Sequence, residues 1–260
     1  MCRGLVVAIR RFSSSLSLPL LHVSTVGTIG TKEYRMYFEH NNLTVSPWHD
    51  IPLFPKPEAS LKGHSPAHVS DVVRFVCEIP RGTTEKMEIS TAEDYNPIKQ
   101  DVKNGKLRVF KYKDGRMPFN YGALPQTWED PNNVDPHTGF KGDSDPLDCL
   151  EIADQPLARG AVIDVRPVGI LALIDEGETD WKVISLRKEH PLAKSIRDAK
   201  DLESAFPGLA DTVVDWFKMY KTADGKPENV FGLDAKIQSA AFAKKIIEDN
   251  HSFWRRRFSL

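Results

Sequence analysis

The chain has 260 residues, 40% hydrophobic and 27% charged, an ordinary globular composition with enough apolar surface for a real core. Its net charge of −1 supplies no basic field for nucleic acid, and no apolar run is long enough to span a membrane. Cys2, Cys77 and Cys149 are scattered and odd in number, so they form neither a disulfide framework nor a CxxC metal motif, which fits a reducing compartment.

Residues 1–31 carry Arg3, Arg10 and Arg11, many Ser and Thr, and no acid before Glu33, the composition of an organellar transit peptide. Arg10-Arg-Phe-Ser-Ser14 resembles a matrix-processing site, whereas Leu5–Ile9 is shorter than a signal-peptide core. The expectation is a targeting or disordered segment over 1–31 and a mitochondrial (matrix) destination, with the cytoplasm as alternative, followed by a single domain over 32–260.

From Glu33 the texture is globular. Tyr34–Phe38 reads as a strand, Trp48–Pro55 as an extended segment punctuated by proline, and the polar residues 56–70 as a surface loop. Val72–Ile79 is a strong β run ended by Pro80, while Lys86–Ile89 and Lys106–Phe110 alternate apolar and polar positions, showing one face to a core. Ala161–Ile174, interrupted by Pro167 and Gly169, reads as two strands, and Trp181–Leu186 follows a turn at Glu176-Gly177. Beyond residue 190 the period becomes helical. A short helix covers Asp201–Phe206, and Leu209, Val213, Trp216, Phe217 and Tyr220 form the stripe of a second. A third begins near Asp234 as N-cap, with Ile237, Ala240, Ala241, Ile247 and Trp254 on its core stripe and Arg255–Arg257 at a solvated end favoured by the helix dipole. Strands and then helices in one block make a β-rich α+β domain.

The chemistry collects in Gly142–Asp148. Asp143, Asp145 and Asp148 fall within six residues with no cation between them, and Pro146 rules out an ordinary helix. A divalent cation and a solvated acidic turn are both open for this stretch. A calcium loop is excluded, because Leu147 and Asp148 stand at the fifth and sixth positions and no Glu closes it. Cys149 beside the turn is read as a small buried side chain and not as a nucleophile. Asp175–Asp180 adds four carboxylates, with Asp180 and Lys182 on one strand face. Glu78, the same-face pair Lys86 and Glu88, and Arg108 bring further charges on other strands. Each acid–base pair alone could be a cross-strand salt bridge. Together, beside an anionic turn, they suit a ligand that is both metal-bound and polyanionic, since Mg²⁺ takes few protein carboxylates plus phosphate oxygens and Lys and Arg bind the rest.

The residues resemble the soluble inorganic pyrophosphatases of family I, the longer eukaryotic type, over about residues 34–254. The resemblance rests on Glu78-Ile-Pro-Arg81, Lys86-Met-Glu88, Pro97–Asp101, Gly105–Arg108, Asn120–Asp130, Gly142–Asp148, Asp175–Lys182, Trp216-Phe217, Tyr220-Lys221 and Asp224–Pro227, in that order. It implies an OB-like five-stranded closed β-barrel with flanking helices and hydrolysis of pyrophosphate by in-line attack of a metal-bridged hydroxide. Several Mg²⁺ ions are implied, with Mn²⁺ or Zn²⁺ as substitutes, and a homodimer. By the same resemblance Asp143, Asp148 and Asp180 are metal ligands, with Asp175, Glu88 and Glu78 as further metal or metal–water contacts. Asp145 holds or deprotonates the water, and Lys86, Arg108, Lys182, Tyr121, Tyr220 and Lys221 bind phosphate. Competing expectations are an inactive scaffold subunit of the same fold, which the full set of carboxylates argues against, and a short-polyphosphate hydrolase. One position departs from the pattern. Met117 stands four residues before Tyr121, where many relatives carry a Tyr implied as proton donor to the leaving phosphate. Tyr112, Arg116 or the metals alone are the substitutes, and that role stays unassigned.

Overall fold

The computed structural model describes residues 20–55 and 71–258. It opens with strands β1 (Leu21–Val26), β2 (Arg35–His40) and β3 (Leu43–Val45), then β4 (Val73–Ile79), β5 (Met87–Ile89) and β6 (Ile98–Gln100). A small hairpin of β7 (Val102–Lys103) and β8 (Lys106–Leu107) precedes β9 (Asn120–Ala123), β10 (Asp148–Glu151), β11 (Val162–Asp175) and β12 (Glu178–Arg187). Helices α1 (Ala199–Ala205) and α2 (Leu209–Met219) lead through β13 (Val230–Phe231) and β14 (Gln238–Ser239) into α3 (Ala240–Phe258).

Five strands close on themselves. In the order β4, β9, β10, β12, β11 each pairs with the next, and β11 pairs back with β4. This is the closed ring that the expected barrel required. β1, β2, β6 and β5 form a second sheet, with β3 on the edge of β2. Alternation along each ring strand sorts the side chains. Phe75, Cys77, Cys149, Ile170, Ala172, Trp181 and Val183 point outward and are covered by Ala243, Ile246 and Ile247 of α3. Val76, Ala123, Leu150, Leu171, Leu173 and Ile184 have the opposite parity and belong to the other core, with Trp216 and Phe217 of α2. Strands buried on both faces explain why β4 is shielded at all seven positions and why its sequence is a nearly unbroken apolar run. Cys77 and Cys149 are buried and unpaired, as expected of Cys149.

Four expectations are corrected. Ala161–Ile174 is one strand and not two: β11 runs through Pro167 by shifting register against β12 between Pro167 and Gly169, a bulge that absorbs the missing proline N–H. Lys106–Phe110 is not a continuous strand. β8 stops at Leu107, and the next backbone groups leave for other partners, Arg108 N–H donating to Asp101 O and Phe110 N–H to Thr84 O, both at 2.8 Å. The last helix begins at Ala240, not near Asp234, which sits in a short 3₁₀ turn with φ +57°. Finally, the sheet begins inside the stretch expected to be a targeting segment, because Leu21–Val26 pairs along β2 from His40 to Arg35. Residues 1–19 and the expected loop at 56–70 lie outside the described residues. Among the described residues no helix is long and apolar enough to cross a membrane.

Candidate active site

The inward parity of the ring changes character toward one end. Ile184, Leu150 and Ala123 are followed along their own strands by Lys182, Asp148 and Tyr121, so the same alternation that builds the core sends charges into the mouth. Asp180, two residues before Lys182, and Glu78 on β4 extend this lining. The mouth opens into a cavity of about 160 Å³. All thirteen residues singled out from the sequence border it: Glu78, Lys86, Glu88, Arg108, Tyr121, Asp143, Asp145, Asp148, Asp175, Asp180, Lys182, Tyr220 and Lys221. Phe110, Met117, Trp216 and Phe217 supply apolar wall.

The acidic turn is held from below. Asp145 N–H donates to Asp143 Oδ1 at 3.0 Å, Ser144 N–H to Glu129 O at 2.9 Å and Glu129 N–H to Asp145 O at 2.9 Å. Ser144 adopts φ +75°, and Trp128 Nε1 caps its carbonyl at 3.0 Å. Gly142 is required for this approach: a Cβ there would lie 2.4 Å from the Glu129 carbonyl carbon. The turn therefore places its aspartates against Glu129, whose Oε1 accepts the Trp181 N–H at 2.9 Å while its buried Oε2 has no partner. Single ligand atoms of Glu129, Asp143 and Asp180 lie within 4.8 Å of one another, a group able to hold a metal ion. The donors are all carboxylate oxygens, which suits a hard cation.

Countercharges fill the rest of the wall. Lys182, almost wholly buried, is paired with Asp180 at 2.5 Å and with Asp148, and it donates to the Tyr121 hydroxyl at 3.0 Å. Tyr121 in turn donates to Asp148. Lys86 bridges Glu88 at 2.9 Å and Asp101 at 3.0 Å, and Arg108 reaches Asp101 at 2.6 Å. From the end of α2, Lys221 pairs with Asp175, and the Tyr220 hydroxyl donates to the same carboxylate at 3.3 Å. Seven carboxylates thus face four cations. Their acidities report the excess. Burial, then the charge of Asp145, pushes Asp143 up to about 8, and burial, then Asp148, pushes Asp145 up to about 7. Burial likewise raises Glu78, Glu129 and Asp180 well above the carboxylate range. Burial alone would lower Lys182, but Asp148 and Asp180 outweigh it and raise the ammonium. Such a cavity is built to accept positive charge together with a polyanion whose oxygens replace the carboxylates as partners of Lys and Arg.

Two members had no role assigned from the sequence. Glu129 lies in a loop with no alternation to aim it, next to an equally acidic Asp130. Asp101 follows β6 and collects both Lys86 and Arg108, and its signal was only its place in the Pro97–Asp101 stretch. Neither suggested replacement for the tyrosine at the Met117 position lines the cavity. Tyr112 turns away from the cavity and donates to Asp215 at 2.9 Å, and Arg116 is exposed, reaching Asp114 at 3.7 Å. Met117 itself, fully buried, lines the cavity.

Comparison with known proteins points to one family. The family model described as "Inorganic pyrophosphatase" matches residues 75–255. The Bos taurus inorganic pyrophosphatase is 46% identical over 230 residues, covering 86% of this chain and 74% of the relative. The Drosophila melanogaster inorganic pyrophosphatase is 42% identical over 259 residues, covering 98% and 72%. Among solved structures, the crystal structure of an N-terminally truncated Trypanosoma cruzi vacuolar soluble pyrophosphatase in complex with PPi superposes with a TM-score of 0.86 at 36% identity, covering 100% of both chains.

Proposed function

We propose a mechanism from one premise: the chain belongs to the inorganic pyrophosphatase family, and its reaction is the hydrolysis of pyrophosphate to two phosphates. Divalent cations, Mg²⁺ first with Mn²⁺ or Zn²⁺ as substitutes, would be held by Asp143, Asp148 and Asp180 with Glu129, and by Asp175, Glu88 and Glu78 directly or through water, and when bound they neutralise phosphate charge and make water more acidic. Asp145 orients the attacking water and accepts its proton. Burial and then Asp148 favour the protonated carboxyl in the metal-free cavity, and cations held beside it would favour the ionised form that a base needs. The water oxygen attacks one phosphorus in line while the bond to the bridging oxygen breaks, and the electron pair leaves with the second phosphate. Lys86, Arg108, Tyr121 and Lys182 from the ring side, and Tyr220 and Lys221 from α2, hold phosphate oxygens and stabilise the charge that develops on them. The observation that carries this reading is the convergence of seven carboxylates and four cations on one cavity, two of the carboxylates, Asp143 and Asp180, lying close enough to Glu129 behind them to share an ion.

Phosphate release from pyrophosphate, measured with and without Mg²⁺, tests it. Release that requires the cation is expected, and no release at any metal concentration would overturn the reading. Asp145→Asn should leave the fold intact and lower kcat by at least about a hundredfold, the usual worth of a general base. Unchanged turnover would remove Asp145 from its role.

We further propose that the chain works as a homodimer and is imported into mitochondria. The first rests on the family resemblance and is checked by light scattering. The second rests on the Arg-rich, acid-free start of the chain and is checked by localising it with and without residues 1–19, the part that precedes β1.

A further inference from the structure

The segment from Phe110 to Met117 leaves the cavity wall and returns to it. Its ends are pinned to one short stretch, Phe110 N–H to Thr84 O at 2.8 Å and Met117 N–H to Thr83 O at 3.0 Å. The turn between them depends on Gly115, which has φ +73° and would place a Cβ 2.5 Å from Phe110 O. The excursion so formed packs against α2. The Phe110 ring lies edge-on to Trp216 at 5.8 Å and to Tyr220 at 6.1 Å, and Tyr112 tilts against Trp216 at 5.8 Å.

Polar partners at the tip converge on the same helix. Tyr112 OH donates to Asp215 Oδ2 at 2.9 Å, and Lys113 Nζ meets that same oxygen at 2.9 Å, while Lys111 pairs with Asp224 beyond the helix end. The connection joins residues 103 positions apart in sequence. Both sides of it also reach the cavity, the loop through Phe110 and Met117, the helix through Trp216, Tyr220 and Lys221. Asp215 itself does not line that cavity.

We propose that Asp215 is a positioning residue for pyrophosphate binding: by gathering Tyr112 and Lys113 it fastens the 110–117 loop to α2 and so sets where Tyr220 and Lys221 meet the substrate. This rests on the assignment of those two side chains to phosphate. It also gives Tyr112 a function different from the one its position near Met117 invited. The hydroxyl acts outside the cavity, in the brace, and not on the leaving phosphate.

The test is steady-state kinetics of the full chain with Mg²⁺ and pyrophosphate. Asp215→Ala and Tyr112→Phe should each raise KM on the order of fivefold, the size expected of one partly exposed hydrogen bond to a carboxylate, with kcat within about twofold. Asp215→Asn, whose amide oxygen still accepts from Tyr112, should recover most of the KM. The double variant Tyr112→Phe/Asp215→Ala should be no worse than Asp215→Ala alone, since the tyrosine's contact is already lost when its acceptor is removed. A Lys221→Ala background should shrink the effect of Asp215→Ala, leaving only the part carried by Tyr220. Additive effects, equal damage from Asp215→Asn, or losses in kcat alone would overturn the proposal, as would a KM that does not move. Lys221→Ala with unchanged KM would overturn the substrate assignment and this proposal with it, whereas raised KM there beside an unmoved Asp215→Ala overturns this proposal alone.

Discussion

Lys182→Met is the sharpest perturbation the site offers. The Lys182 side chain is 3% exposed and its partner Asp180 7% exposed, 2.5 Å apart, with Asp148 on its other side. Methionine keeps most of the volume, so the change removes charge and little packing. It leaves two carboxylates without their countercharge in a wall where burial already opposes ionisation. Breaking a buried pair by deleting one partner costs about 3–5 kcal/mol. For a domain of this size each kcal/mol moves Tm by roughly 2–4 °C, so the metal-free variant should melt roughly 6–20 °C below the parent. Divalent cations change the answer. If Asp148 and Asp180 are ligands, Mg²⁺ supplies the missing positive charge and the gap should shrink by more than half. If the ammonium also holds phosphoryl oxygens, as proposed, activity should not return, and kcat/KM should stay at least about a hundredfold down. The assay is thermal unfolding in chelator and in Mg²⁺, paired with phosphate release. An equal Tm loss in both conditions would refute the view that lysine and metal neutralise the same carboxylates, and full activity in Mg²⁺ would refute its contact with substrate.

Three further outcomes are expected. Glu129→Gln removes one charge from the Glu129, Asp143 and Asp180 group and should weaken divalent-cation binding by about ten- to a hundredfold in calorimetry; unchanged affinity would take Glu129 out of the ligand set. At pH 6.5 Asp143, raised to about 8, and Asp145, raised to about 7, are largely protonated without metal, so cation binding should release on the order of one proton. A binding enthalpy independent of the buffer's ionisation heat would contradict this. His49 accepts the Trp254 indole N–H at Nδ1, 2.9 Å away, and stacks on Trp48 at 4.3 Å, and burial lowers its pKa from 6.5 to about 4. The unfolded chain therefore takes up the proton first. The stability His49 contributes is fully present above pH 6.5 and is lost as pH falls through about 4, on the order of 3 kcal/mol. His49→Asn should flatten that part of the stability–pH curve, and an unaltered acid limb would place the loss elsewhere.

Much of the site was legible because its charges come in short local patterns. The acidic turn is contiguous, and Lys86 with Glu88, like Asp180 with Lys182, lies two residues apart on a strand, so period two alone puts each pair on one face. Glu129 and Asp101 resisted because they sit outside strands, where no period aims a side chain. Their orientation comes from long-range bonds, Glu129 to the Trp181 N–H, Asp101 to Lys86 and Arg108. The ring strands β9 and β10 were missed for a related reason. Each has four residues and carries polar ones where a strand pattern would show apolar ones: Tyr121 and Asp148 on the inward parity line the cavity mouth, and Asn120 and Glu151 on the other parity bond each other at 2.9 Å. The helix start was misplaced at Asp234 because an Asp before an apolar stripe is a good N-cap by local rules. The chain spends residues 233–235 in left-handed backbone instead before β14 pairs with β11.

What the amino-acid order settled on its own is therefore the inventory: β runs at Val73–Ile79 and around Trp181, helices at the end, and local pairs of acid and base with one anionic turn among them. Such features depend on neighbours a few residues apart, whose relative directions the backbone geometry dictates. Only the tertiary structure decided that five strands close into a ring, that one parity of each faces α3 while the other leads from core to cavity, and that Glu78 and Lys221 border the same space. Closure joins segments far apart in the chain. Which distant strands pair is set by the burial gained when all of them pack at once, weighed against the entropy of joining them, and no local period carries that information.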